Sequence, residues 1–241
     1  MSDAGLLLAG KRVVIIGGAS GIGFAVAQLA HLQGADIIIA SSTQAKVETA
    51  AERLVGARGQ TVDLREEANV ANFFQNLGAF DHLAITAGDW GSPMFVSSRD
   101  LDLGQARDSF TVRFWGPLAA AKHCVRTIAP DGSITLTGGM LAVRPRPGAP
   151  LPTAVGGAIE HLARGLAMDL SPIRVNAVSP GLVLTEHVQK MPEEMLQEMV
   201  AHLPVPRAAT PEEAARAYLY FMQNSYVTGQ ILPVDGGGML V

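Results

Sequence analysis

The sequence predicts an α/β fold: a Rossmann-like, doubly wound, seven-stranded parallel sheet with helices on both faces. Three observations carry this. Apolar, β-branched runs alternate with stretches of helical period along the whole chain. The runs are continuously apolar, as strands covered on both faces are, and such strands are joined by right-handed crossovers. A glycine-rich turn links the first run directly to the first helical stretch.

In chain order, the strands are expected at 12–17, 35–41, 59–63, 81–87, 133–137, 174–178 and 230–234. Helical period places helices between them, at 22–33, 43–55, 66–77, 103–129, 153–170 and 211–223. Thr43 reads as the N-cap of the second helix; Thr210 and Pro211 read as the N-cap and first residue of the last. Two irregular, proline-bearing stretches follow strands. One, 138–152, contains Arg144-Pro145-Arg146-Pro147; the other, 179–206, holds a short helix near 192–202. Ligands of open α/β sheets bind beyond the carboxyl ends of the strands, so both stretches should rim a site, with 182–206 as a substrate lid. No linker or repeat divides the chain, and residues 1–241 read as one domain.

Composition narrows the function. Hydrophobic residues make up 48% and charged residues 17%, which is globular. A net charge of −4, without a basic or acidic block, points away from nucleic acid and anionic membranes. The single cysteine, Cys124, forms no internal disulfide and fits a reducing compartment. No apolar run approaches a membrane span, and the start lacks the pattern of a secretory leader, so a cytoplasmic protein is expected. No His, Cys, Asp and Glu spacing suggests a metal.

Gly17-Gly18-Ala19-Ser20-Gly21-Ile22-Gly23 ends the first strand and opens the first helix. Gly17 permits the tight turn, Gly21 lets backbone approach a pyrophosphate, and Gly23 lets helix and strand pack closely. The helix start then offers free N–H groups to the phosphates. At the end of the second strand, an acidic residue would bind the ribose 2′-hydroxyl of NAD and repel a 2′-phosphate. Ser41, Ser42 and Thr43 stand there instead, with Lys46 one turn on. NADP(H) is therefore preferred over NAD(H).

With these motifs the sequence resembles the classical short-chain dehydrogenase/reductase family over nearly its whole length. Gly17, Gly21 and Gly23 match the family's nucleotide motif, and Ala87-Gly88 matches the end of its Asn-Asn-Ala-Gly motif. Asp63 matches the residue that contacts adenine. The segment Ile173-Arg174-Val175-Asn176-Ala177-Val178-Ser179-Pro180-Gly181 matches the sixth strand and its turn, and Thr185 the threonine after it. Tyr226-Val227-Thr228-Gly229-Gln230 and Val234-Asp235-Gly236-Gly237 match the last strand and tail. The resemblance implies further cofactor contacts at Ser20, Ile22, Leu64, Pro180 and Val183. It also implies a homo-tetramer or a dimer, formed through the helices at 103–129 and 153–170.

The family's active site is an Asn, a Ser and a Tyr-x-x-x-Lys pair. Counted from the matching segments, the lysine position falls on Gly156, the tyrosine on Pro152, the serine on Gly138 and the asparagine on Arg113. The only tyrosines, Tyr218, Tyr220 and Tyr226, lie near the C-terminus. Neither proline nor glycine has a side chain that donates a proton. The nucleotide half is kept and the acid–base half is lost.

Several residues are candidates for substitute chemistry. Arg113 would supply fixed positive charge, Arg144 and Arg146 would hold an anionic ligand, Thr137 would bond a substrate oxygen, and His187 would act as a lid acid. Each also has a plain structural reading, as a core or surface residue. Trp90 and Trp115 are candidates for lining the pocket. His123 and His161 stand alone on helices, and Arg207 reads as structural. Two functions fit. One is an NADPH-dependent reductase of small molecules that need little acid catalysis, such as quinones or vicinal dicarbonyls. The other is a catalytically inactive NADP(H)-binding sensor or scaffold.

Overall fold

The structure, a computed structural model, describes residues 6–88 and 95–241, so Trp90 lies outside the described residues. The strands are β1 (Arg12–Ile16), β2 (Asp36–Ser41), β3 (Arg58–Thr61), β4 (Phe80–Ile85), β5 (Ile128–Thr137), β6 (Arg174–Pro180) and β7 (Ile231–Val234). They form one sheet in the order β3-β2-β1-β4-β5-β6-β7, every pair parallel. The helices are α1 (Gly21–Leu32), α2 (Gln44–Arg53), α3 (Glu67–Leu77), α4 (Leu103–Phe110), α5 (Gly116–Cys124), α6 (Pro150–Asp169), α7 (Glu193–Val200) and α8 (Pro211–Gln223).

The continuous apolar strands have the physical cause expected of them. In β1, Val14 and Ile16 face one layer, with Phe73 and Phe74 of α3, Ala120 of α5 and Ile159 of α6. Val13 and Ile15 face the other, with Phe24 of α1, Ala50 of α2 and Tyr218 and Phe221 of α8. Successive side chains of a strand point to opposite faces, so a strand buried on both must be apolar throughout. Each such side chain contributes about 1.5–3 kcal/mol of burial.

Two helices differ from expectation. The stretch 103–129 is not one helix: α4 passes through a π-helical turn, Thr111–Trp115, into α5, which ends at Cys124, and β5 begins at Ile128. Pro117 lies at the start of α5 and has no N–H to offer the carbonyl of Arg113. The ladder slips by one residue there, and the Gly116 N–H bonds the carbonyl of Thr111. The helix expected at 153–170 starts earlier, at Pro150, because proline is tolerated in a first turn whose N–H groups lack intrahelical partners. The short helix of the second irregular stretch is α7, preceded by a 3₁₀ turn, Val188–Lys190. Among the described residues, no helix is long and apolar enough to cross a membrane, and no cluster of His, Cys, Asp and Glu has the arrangement of a metal site.

Candidate active site

A cleft of about 450 Å³ opens beyond the carboxyl ends of the central strands. It sits where the chain, having built outward from β1 through β2 to β3, resumes on the other flank of β1 with β4. The helices that follow β1 and β4 pack on opposite faces of the sheet, which leaves the crevice typical of such a switch point.

The glycine turn forms its near wall. Gly17 has φ +90°, and a Cβ on it would come 2.7 Å from the Ala87 Cα. That close approach exists because Thr86 and Ala87 both donate their N–H groups to the Ile16 carbonyl, at 2.8 and 3.1 Å. A Cβ on Gly23 would overlap the Gly17 carbonyl and Thr86 Oγ1, so α1 packs on β1 only with glycine there. Ser20, the N-cap of α1, makes no side-chain cap bond, and the first turn carries no acidic residue. The Gly21 N–H instead donates to the Glu186 carboxylate, 2.9 Å away on the segment after β6.

One end of the cleft is polar. Ser41, Ser42 and Lys46 line it, as do Asp63, Leu64 and Arg65. Asp63 Oδ1 accepts the Arg65 backbone N–H at 3.0 Å and lies 3.4 Å from its guanidinium. Thr43 does not line the cleft; it is the extended N-cap of α2. Ser20, Ile22, Ala87, Gly88, Pro180, Gly181, Val183 and Thr185 all do.

At the other end stand Arg113, Thr137, Gly138 and His187. The π turn brings Arg113 into the wall, and its guanidinium lies against Gly88, where a Cβ would come 2.6 Å from Nη2. Thr137 is engaged on both sides. Its hydroxyl donates to the Ile85 carbonyl at 2.6 Å and accepts from the Tyr218 hydroxyl at 2.6 Å. A hydroxyl has one proton, so Thr137 has none left for a substrate oxygen. Tyr218 is fully buried, and burial pushes its phenol above the ordinary range, so it stays neutral.

The chain matches a family profile described as enoyl-(acyl carrier protein) reductase over residues 17–238. The short-chain dehydrogenase/reductase malC of Malbranchea aurantiaca is 36% identical over 256 residues, covering 97% of this chain and 96% of its own. The chain belongs to the short-chain dehydrogenase/reductase family. A solved small-chain dehydrogenase in complex with NADPH is 37% identical, with TM-score 0.83 over 96% of this chain and 99% of its own. The structure of the MalC reductase/Diels-Alderase from Malbranchea aurantiaca is 36% identical, with TM-score 0.89 over 98% of both chains.

Within this short-chain dehydrogenase/reductase, two of the four positions singled out in the sequence line the cleft and two do not. Arg113 and Gly138 line the cleft. Pro152 and Gly156 stand in the first two turns of α6, where a Cβ on Gly156 would come 3.3 Å from the Gly139 carbonyl. Arg146 does not line the cleft; it lies 3.1 Å from His202, just past α7, and Arg144 is exposed. Trp115 is exposed and outside the cleft. His123 pairs with Glu67, His161 with the Gly157 carbonyl, and Arg207 with Glu213.

Three residues escaped the sequence reading. Arg65 lines the polar end, two residues after Asp63. Glu186 meets α1 from 165 residues away, a pairing no local pattern signals. Glu160 is buried and accepts the Ser179 hydroxyl at 3.1 Å, and a Cβ on Gly138 would come 3.4 Å from its Oε1. An acidic residue on the apolar stripe of α6 was the available signal.

Proposed function

We propose that this chain is an NADP(H)-binding oxidoreductase with a non-standard active site, and that it reduces conjugated acceptors such as quinones or vicinal dicarbonyls. One observation carries the reading. The glycine turn and the polar groups beside it wall the cleft in a way that suits a dinucleotide, and Arg113, Gly138, Pro152 and Gly156 stand at the positions we assign to the family's acid–base groups. The NADPH bound to a similar structure and the reductase activity in the description of MalC support it.

The residues present fit the cofactor. Gly17 and Gly23 form a cradle that a Cβ would fill, and the start of α1 has no side-chain cap of its own. The glycine turn and the N–H groups of α1 would take the pyrophosphate. Ser41, Ser42, Lys46 and Arg65 would take the 2′-phosphate, Asp63 and Leu64 the adenine, and Pro180, Gly181, Val183 and Thr185 the nicotinamide end. A bound nicotinamide supplies the hydride.

The chain's own residues then position and stabilise. Holding both reactants in one cleft supplies proximity. The Arg113 guanidinium remains protonated, so it stabilises an oxyanion developing on the substrate without giving up a proton. The proton comes from solvent, and a ring that delocalises the new charge tolerates its late arrival. Residues 182–206 act as the lid, the whole chain works as one domain, and the working form is a cytoplasmic homo-oligomer.

The test is turnover of NADPH with an o-quinone and with a simple ketone. Saturable oxidation is expected with the quinone and negligible oxidation with the ketone, since a lost acid typically removes about 10²–10⁴ in rate. Arg113→Ala should lower quinone kcat by at least about tenfold, with a smaller change in KM for NADPH. The second reading, a catalytically inactive NADP(H) sensor or scaffold, is favoured by the pairing of Tyr218 with Thr137, which withholds both hydroxyls from the cleft. Tight NADPH binding without turnover of any quinone would select it.

A further inference from the structure

We infer that Glu186 is a built-in competitor for the cofactor: its carboxylate occupies the pyrophosphate seat at the start of α1 and latches the lid there until a nucleotide displaces it. The inference rests on the dinucleotide reading of the cleft and adds a control on when that seat is open.

The contact is specific. Glu186 Oε2 accepts the Gly21 N–H at 2.9 Å, across 165 residues of sequence. Gly21 is the first residue of α1, a helix of 12 residues whose N-terminal end carries partial positive charge. Its own N-cap, Ser20, leaves that end without a side-chain acceptor. The first four N–H groups of a helix lack intrahelical partners, so an anion from elsewhere is favoured there. Among the described residues, the anion supplied is Glu186.

The neighbouring residue reinforces the docking. A Cβ on Gly21 would come 2.9 Å from Thr185 Cγ2, so the segment after β6 lies directly on the helix start. Thr185 is itself held by its N–H to the Val183 carbonyl at 2.7 Å. A dinucleotide pyrophosphate is doubly anionic and needs the same N–H groups. It cannot share them with a carboxylate at hydrogen-bond distance, because the two would repel at close range. Binding therefore exchanges one anion for another and releases Glu186, with the 182–206 segment behind it. Glu186 is exposed to solvent, so water screens the contact and it remains displaceable. Ser20, by contrast, would compete at no charge cost; the chain has instead placed its acceptor on the element that must move.

The experiment compares NADPH, ADP-ribose and adenosine as ligands of the whole protein and of its Glu186→Ala and Glu186→Gln variants, by titration calorimetry. Thermal melting of each variant first establishes that it is folded. Glu186→Ala should bind NADPH about 2- to 5-fold more tightly than the parent, the range for an exposed charge at a helix terminus. Glu186→Gln, which keeps an acceptor without the charge, should gain less. The gain should persist with ADP-ribose, which retains the pyrophosphate, and vanish with adenosine. In the ligand-free parent, the Gly21 amide should exchange more slowly than in Glu186→Ala. Equal or weaker NADPH binding by a folded Glu186→Ala protein overturns the latch alone. A gain of the same size with adenosine also overturns it, since the effect would not involve the pyrophosphate. Failure of all three proteins to bind either NADPH or ADP-ribose overturns the dinucleotide reading and the latch with it.

Discussion

Hydroxyl and charged side chains mark both ends of the cleft. At the polar end, Ser41 lines the wall together with Lys46 and Arg65. Ser41→Asp would set a carboxylate where we place the 2′-phosphate, so NADPH affinity should fall about tenfold or more while NADH affinity holds or rises, read by fluorescence titration. Equal losses for both nucleotides would show that the 2′-phosphate lies elsewhere. A second residue acts on stability. His82 lies within the sheet with its Nδ1 2.9 Å from Ser133 Oγ, and burial pushes its pKa down to about 4 from the ordinary 6.5. The Asp81 carboxylate opposes that shift, and Arg174 and Lys11 assist it. Below pH 6.5 the unfolded chain takes up a proton that folded His82 refuses until near pH 4. Stability is therefore full above pH 6.5 and declines between 6.5 and 4, by up to about 3 kcal/mol. Denaturant melts at pH 7.5 and 4.5 should differ less for His82→Gln than for the parent. The glycines were legible in sequence because their spacing between a strand and a helix is a local pattern, although Gly17 and Gly23 also answer contacts with Thr86 and Ala87 on a distant turn. Thr137 was not, since its role depends on Tyr218, 81 residues away.

At the scale of elements, local chemistry announced some boundaries and concealed others. Thr210 caps α8 as its sequence implies: its hydroxyl accepts the Glu213 N–H at 3.3 Å, and the Glu213 carboxylate returns the bond to the Thr210 N–H at 2.9 Å. Arg207 grips the same carboxylate through two bonds of 2.7 and 2.8 Å and holds its pKa down at about 2. Thr210→Ala should destabilise the protein by about 1 kcal/mol, measured by denaturant unfolding. At its far end α8 is closed by a residue from another element: Arg174 of β6 donates to the carbonyls of Phe221 at 2.6 Å and Met222 at 3.2 Å. That cap had no local signature. The break in 103–129 had one, in Gly116-Pro117, but helical period on both sides masked it. A π turn preserves the apolar face while shifting the ladder, so periodicity alone reads straight through it.

The whole molecule leaves apolar surface on the helices that we expect to pair. Trp115, the last residue of the π turn, is 58% exposed, and Met168, near the end of α6, is 83% exposed. The tail residues Leu240 and Val241 are exposed as well. Light scattering at micromolar concentration should give a tetramer or a dimer, and Trp115→Glu should shift it toward smaller species by placing charge in an apolar contact. A monomeric parent would remove this expectation. What the sequence by itself determined is the fold and the glycine turn at the cleft: burial on both faces demands continuous apolar strands, and a positive φ and close packing at that turn demand glycine, so both leave marks within a few residues. Only the tertiary structure decided which groups are available for chemistry. It ties Thr137 to Tyr218, brings Arg113 against Gly88 through a slipped helix, and carries Glu186 to the first N–H of α1. Those pairings join residues far apart in the chain, and they are set by how packed elements meet, a quantity no local pattern of residues encodes.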